Sequence, residues 1–160
     1  MKPTRLDTVA PLLGRDLALD YAQHGGYFED ADLSAPQGAP GLRDVADLAV
    51  IDGLDNLTQA IANRLKTRRG ELTPLGHPNY GSRHHELIGE PNVPRTWNLV
   101  KLYILEALRD EPRIEKVLQA TVAPDHQPPR DTVRIELTVL LVGVPTPVDL
   151  VVPFSLEAAL

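Results

Sequence analysis

The chain changes its hydrophobic period once, at the stretch LRDEPRIEKV over residues 108–117, and that switch restricts the folds open to it. Before it, Trp97, Val100, Ile104 and Leu108 recur at spacings of three and four, which puts them on one stripe of a helix. Beyond it, Val133, Ile135, Leu137, Val139 and Leu141 alternate with Arg134, Glu136, Thr138 and Leu140. Val148, Leu150, Val152 and Phe154 repeat the alternation after the turn GVPTPV, the pattern of strands with one buried face. Pro112 stands at the junction. It has no backbone N–H and disfavours helical geometry at Glu111, so a helix over about 95–110 should end near Asp110 or Glu111.

An earlier stripe at Leu54, Leu57, Ile61 and Leu65 predicts a helix over 54–67, with Asp52 or Asp55 able to cap its start and Gly70 just past its end. Thr96 and Asn98 fall near the start of the second helix. Between the helices, repeated glycines and prolines force turns around one short helical piece at 82–88. A connection of this length is usually functional or shaped by a partner. Ile114 to Val122 supplies a third strand. Helices followed by consecutive antiparallel strands predict an α+β domain with the helices on one face of a small sheet, whose edges offer unpaired N–H and C=O groups to another chain.

Residues 1–45 read differently. The stretch GGYFEDADLSAPQGAPG has no periodic apolar face and predicts an irregular extension, loop or tether, ahead of the domain at 46–160. Its Leu12, Leu13, Leu17, Leu19, Tyr21, Tyr27 and Phe28 are too apolar for a pure spacer and suit docking on a neighbour or back on the domain.

Charge narrows the partners. The net charge is −6. Residues 1–52 carry 4 basic and 9 acidic side chains, residues 53–113 carry 9 and 7, and residues 114–160 carry 3 and 6. An acidic protein with a mildly basic middle is a poor ligand for nucleic acid, though the middle could meet an acidic protein. No apolar run reaches bilayer length and the N-terminus lacks a signal-peptide core, which predicts a cytoplasmic or particle-bound protein with no membrane partner. The absence of cysteine removes disulfides, thiolate nucleophiles and thiolate metal sites.

Catalytic patterns are weak. His84, His85 and Glu86 are adjacent, so they point to different sides of a helix, and no HExxH spacing occurs. His77 and Tyr80 have no acid partner in sequence and fit loop packing or partner contact better than base chemistry. Ser34, Ser82 and Ser155 lie in no nucleophile elbow. Glu71, Glu86 and Glu90 could in principle pair across a cleft as a glycosidase requires, but with 22 acidic residues some pair can always be nominated. The expectation is no catalytic, metal or cofactor site.

Four blocks carry a resemblance: DGLDNLTQAIANRLKTRRGEL, LGHPNYGSRHHELIGEPN, NLVKLYILEALRDEPRIEKV and VVPF, in that order over about residues 48–157. Together they resemble the baseplate wedge family of contractile phage tails, also named lysozyme-like or sheath-initiator proteins, with relatives in type VI secretion and extracellular contractile injection particles. The resemblance implies a structural baseplate component whose partners are wedge proteins and sheath subunits, with hub, spike and tube-initiator proteins as further neighbours. Residues 1–45 lie outside it.

Within that resemblance, Glu111-Pro112-Arg113 matches the family's Glu-Pro-Arg motif, similar to a docking element that holds the protein on the wedge core bundle. Read without it, the triplet is a local ion pair on a solvated turn, worth well under about 1 kcal/mol. The C-terminal sheet resembles the domain through which sheath subunits exchange strands, so Leu137, Val139, Leu141, Val148, Leu150 and Val152 are the residues expected to build a strand-accepting surface. The alternative function, which the lysozyme-like label suggests, is peptidoglycan cleavage.

Overall fold

The computed structural model describes residues 10–24, 27–33, 48–124 and 132–155. Among these the elements are short strands β1 (Arg15–Leu17), β2 (Leu19–His24), β3 (Tyr27–Leu33) and β4 (Val50–Asp52), then helices α1 (Gly53–Lys66) and α2 (Pro94–Leu108), then strands β5 (Ile114–Pro124), β6 (Thr132–Leu141) and β7 (Val148–Ser155). The α+β architecture agrees with the period switch.

Helix α1 forms where its apolar stripe predicts. Leu57, Ile61 and Leu65 are buried, and Arg64 and Lys66 in the last turn complement the helix dipole. Asp52 occupies the N-cap position but makes no capping hydrogen bond. Its carboxylate instead accepts from Arg15 at 3.2 Å across the β1–β4 pair, both side chains being exposed. Helix α2 starts at Pro94, whose missing N–H is harmless in the first turn. Thr96 Oγ1 donates to the Pro91 carbonyl at 2.7 Å and Trp97 Nε1 to Asn92 Oδ1 at 2.5 Å, which ties the preceding loop to the helix. The helix stops at Leu108, slightly earlier than the sequence suggests.

The C-terminal strands form an antiparallel sheet in the order β5-β6-β7. Ile135 on the central strand stands opposite Val122 on one side and Val152 on the other. Val133, Ile135, Leu137, Val139 and Leu141 are all buried, and they form one core with Val100, Ile104 and Leu108 of α2 and the stripe of α1. Arg134 and Glu136 on the opposite face are exposed and pair with each other at 2.9 Å. Each fully buried aliphatic side chain contributes about 1.5–3 kcal/mol, so this shared face is what holds the helices to the sheet.

Part of the extension is regular. A 3₁₀ turn, Ala10–Leu13, leads into β1, which pairs with β4, while β2 and β3 form a hairpin near β7. Leu13 is buried in the main core, so the docking-back option holds for this residue. Tyr21, Tyr27 and Phe28 lie on the hairpin strands, but their side chains fall outside the described residues.

The connection between the helices is closed by its own backbone. Arg69 N–H donates to the Ser82 carbonyl at 3.0 Å and Ser82 N–H to the Thr67 carbonyl at 2.8 Å, so the chain returns beside the end of α1. The short helical piece expected at 82–88 is a 3₁₀ turn, His84–Leu87.

Candidate docking site at the helix-to-strand corner

Glu111 ends the turn after α2, with its N–H donating to the Leu108 carbonyl at 3.1 Å and its carbonyl accepting from Ile114 N–H at 3.1 Å. Pro112 fixes the corner between these bonds and is exposed. Glu111 itself is only 4% exposed. Its Oε1 accepts from Arg113 Nε at 2.6 Å and its Oε2 from Arg64 NH2 at 3.4 Å. Burial alone would push this carboxyl up, but the hydrogen bonds and charge of Arg113 and the charge of Arg64 outweigh it and hold its pKa below the ordinary carboxylate value. The acid of the triplet is therefore an internal clamp on two guanidinium groups, and Pro112 and half-buried Arg113 form the part that faces outward.

Arg64 lies 4.5 Å over the ring of Tyr80, which brings the tip of the inter-helix connection against α1. Arg113 also reaches back 100 residues, its NH1 donating to the Leu13 carbonyl at 3.2 Å. Asn56 Nδ2 donates to the same carbonyl at 2.9 Å. A cavity of about 400 Å³ opens between these groups, lined by Leu12, Arg15, Arg64, Tyr80, Pro112 and Arg113 among others. Sequence reasoning found the triplet but not Arg64, Tyr80, Asn56 or Leu13's carbonyl as its partners. One signal was available for Arg64, a charge on the apolar stripe between Ile61 and Leu65.

The six sheet residues singled out from sequence divide between two strands. Leu137, Val139 and Leu141 are on β6, which is hydrogen-bonded on both sides, and their side chains face the core. Val148, Leu150 and Val152 are on β7, with Leu150 and Val152 buried. The outer strands are β5 and β7. Among the described residues no strand pairs with the outer side of either, though β3 comes near β7. β5 carries two register irregularities against β6, at Ile114/Lys116 and Val117/Gln119, and exposes Leu118. Such bulges restrain indiscriminate edge pairing.

The residues weighed for chemistry take structural positions. Glu86 accepts two bonds from Arg83, at 2.8 and 2.7 Å, and a third from Tyr103 Oη at 3.2 Å. The Arg83 hydrogen bond holds its carboxyl below the ordinary value, the opposite of what a glycosidase acid requires. Glu71 caps the Arg68 N–H at 3.0 Å. Ser82 and His84 are hydrogen-bonded but only 2% and 1% exposed, out of reach of a polymer substrate. His77 is exposed, and no cluster of three potential metal ligands occurs among the described residues.

Fold and corner together define an α+β domain whose helix-to-strand corner is braced from within by a buried carboxylate. Residues 52–145 match the model of the family Baseplate wedge protein gp25, and the chain belongs to that family. A crystal structure of a provisionally named tail lysozyme from Geobacter sulfurreducens is similar, with 26% identity and a TM-score of 0.56 over 67% of this chain and 94% of that one. None of the curated proteins matches the chain. The family makes this a structural component of phage-tail-type baseplates, associated with other baseplate proteins. No helix among the described residues is long and apolar enough to cross a membrane.

Proposed function

We propose that this chain is a baseplate adaptor that docks on the wedge through its helix-to-strand corner and starts the sheath by accepting strands at a sheet edge. The observation that carries the reading is the construction of the corner. Glu111 fixes Arg113 from within, so the exposed Pro112 and the outer part of the guanidinium are held ready for a partner at little further loss of freedom. The outer side of β5 supports the second half, because an edge strand can bind another chain through main-chain hydrogen bonds without demanding particular side chains. Wedge proteins and sheath subunits are the partners of this reading. Peptidoglycan cleavage gains no support from Glu86, whose carboxylate is committed to Arg83 and Tyr103.

Arg113→Ala tests the corner. The variant chain should remain folded by circular dichroism, yet co-purify at least tenfold less with co-expressed wedge proteins, as expected when one partner of an interfacial charge contact is removed. Normal retention of the wedge proteins by a folded Arg113→Ala chain would defeat the docking reading.

A further inference from the structure

The N-terminal segment is held to the domain in the manner of a bound peptide. Side chains of α1 and the corner read its main chain. Asn56 and Arg113 both donate to the Leu13 carbonyl, at 2.9 and 3.2 Å. Gln59 uses both ends of its amide, Nε2 donating to the Leu17 carbonyl at 2.9 Å and Oε1 accepting from Leu19 N–H at 2.8 Å. Ala18 N–H donates to the Ala49 carbonyl at 2.8 Å, and β1 adds its strand to β4. One side chain, Leu13, is driven into the core at 3% exposure, while its neighbour Leu12 is 67% exposed and every residue of β1 is exposed.

That combination is the physics of peptide recognition: main-chain bonds for affinity, one apolar anchor, and side chains otherwise free to vary. Asn56 and Gln59 are themselves buried polar groups, 5% and 6% exposed, whose hydrogen-bonding is met in large part by this segment. Removing the segment would leave them needing another main chain or water. The segment also lies outside the stretch that matches the family, residues 52–145, whereas Asn56, Gln59 and Arg113 lie inside it.

We propose that Asn56, Gln59 and Arg113 form a groove for an extended peptide with a leucine anchor, that residues 13–19 of this chain fill it in cis as a strap, and that their release frees the Arg113 donor for the corner's partner. This rests on the reading of the corner as a docking element. Arg113 spends NH1 on the strap and Nε on Glu111, so a partner that takes Arg113 competes with the strap for the same donor. The cavity bounded by Leu12, Arg15 and Pro112 is where the strap and corner already stand apart.

The test uses the full chain and a fluorescent synthetic peptide of residues 8–20, TVAPLLGRDLALD. Leu13→Asp, which expels the anchor, should bind the peptide at least tenfold more tightly than the wild type, and adding Gln59→Ala should abolish the gain. Because Leu13→Asp could unfold the domain, a lock provides the second measurement. Arg15 and Asp52 face each other across β1 and β4, and the chain contains no cysteine. Arg15→Cys with Asp52→Cys should therefore give one reversible disulfide that pins the strap. Oxidised, this chain should bind the peptide and co-expressed wedge proteins at least tenfold more weakly than when reduced. Equal peptide binding by wild type, Leu13→Asp and both redox forms of the lock overturns the groove, and equal wedge retention by the two redox forms overturns the gating. Failure of the docking reading looks different: Arg113→Ala retains wedge proteins normally, while peptide binding still distinguishes Leu13→Asp from the wild type.

Discussion

Arg64 and Glu111, 47 residues apart in sequence, meet inside the protein with NH2 to Oε2 at 3.4 Å and side chains 9% and 3% exposed. Arg64 would be a stranded charge without this carboxylate. Glu111→Ala should therefore destabilise the chain by about 3 kcal/mol, the scale of breaking a buried pair by removing one partner. Arg113→Ala should cost only about 1 kcal/mol, since it removes hydrogen bonds at a half-exposed side chain. Urea unfolding of the two variants checks the ranking, and a Glu111→Ala midpoint equal to the wild type would mean that the clamp does not stabilise the corner.

Acid should act in two stages. Burial lowers the His84 pKa from its ordinary value to about 4, so between pH 6.5 and 4 the unfolded chain binds a proton that the folded chain does not. Stability should be full above pH 6.5 and fall toward pH 4 by up to about 3 kcal/mol. Glu111, whose folded pKa is depressed, adds its loss at lower pH, as its carboxylate is protonated. Melting temperature against pH measures the sum, and NMR titration of the imidazole isolates His84; a histidine that titrates near 6.5 would rule out the first stage.

Gly81 should be the least replaceable residue of the inter-helix connection. Its φ is +103°, and a Cβ there would stand 2.6 Å from the Thr67 carbonyl oxygen and 2.7 Å from that of Arg68. Gly81→Ala should cost about 2–3 kcal/mol through backbone strain and open residues 70–93 to proteolysis. Gly76→Ala, with nothing within 4 Å of the added methyl, should cost about 1 kcal/mol for its positive φ alone. Equal protease resistance in the two variants would contradict the backbone closure described for this segment.

Strand addition at β5 predicts a position-dependent effect of proline. Thr121 and Val122 are adjacent on the strand, so their N–H groups point to opposite sides and one of them points away from β6. Of Thr121→Pro and Val122→Pro, the variant that keeps its fold should still bind wedge proteins and fail to start sheath polymerisation, scored by electron microscopy of assembly reactions. Normal sheaths on that variant would place the sheath contact away from the β5 edge.

The sequence by itself determined the order and type of the main elements. Helix and strand periods depend on neighbours a few residues apart, so the stripe of α1, the end of α2 before Pro112 and the alternation of β6 could be read locally. It also carried three of the four blocks quoted above inside residues 52–145, the stretch that matches the family, with VVPF beyond it. The corner at Pro112 was legible too, because a proline at a period switch constrains its own backbone. What only the tertiary structure decided was how distant groups share a site. Nothing within a few residues of Glu111 indicates that its carboxylate faces Arg64, that Tyr80 lies against that same arginine, or that Arg113 holds the Leu13 carbonyl from 100 residues away. Likewise, alternation marks β6 and β7 alike as half-buried strands, and only the pairing order puts β6 in the centre with β5 and β7 outside it. Local pattern fixes which face of an element avoids water; which elements then meet is settled by the shared core and by the need of each buried charge and amide for a partner.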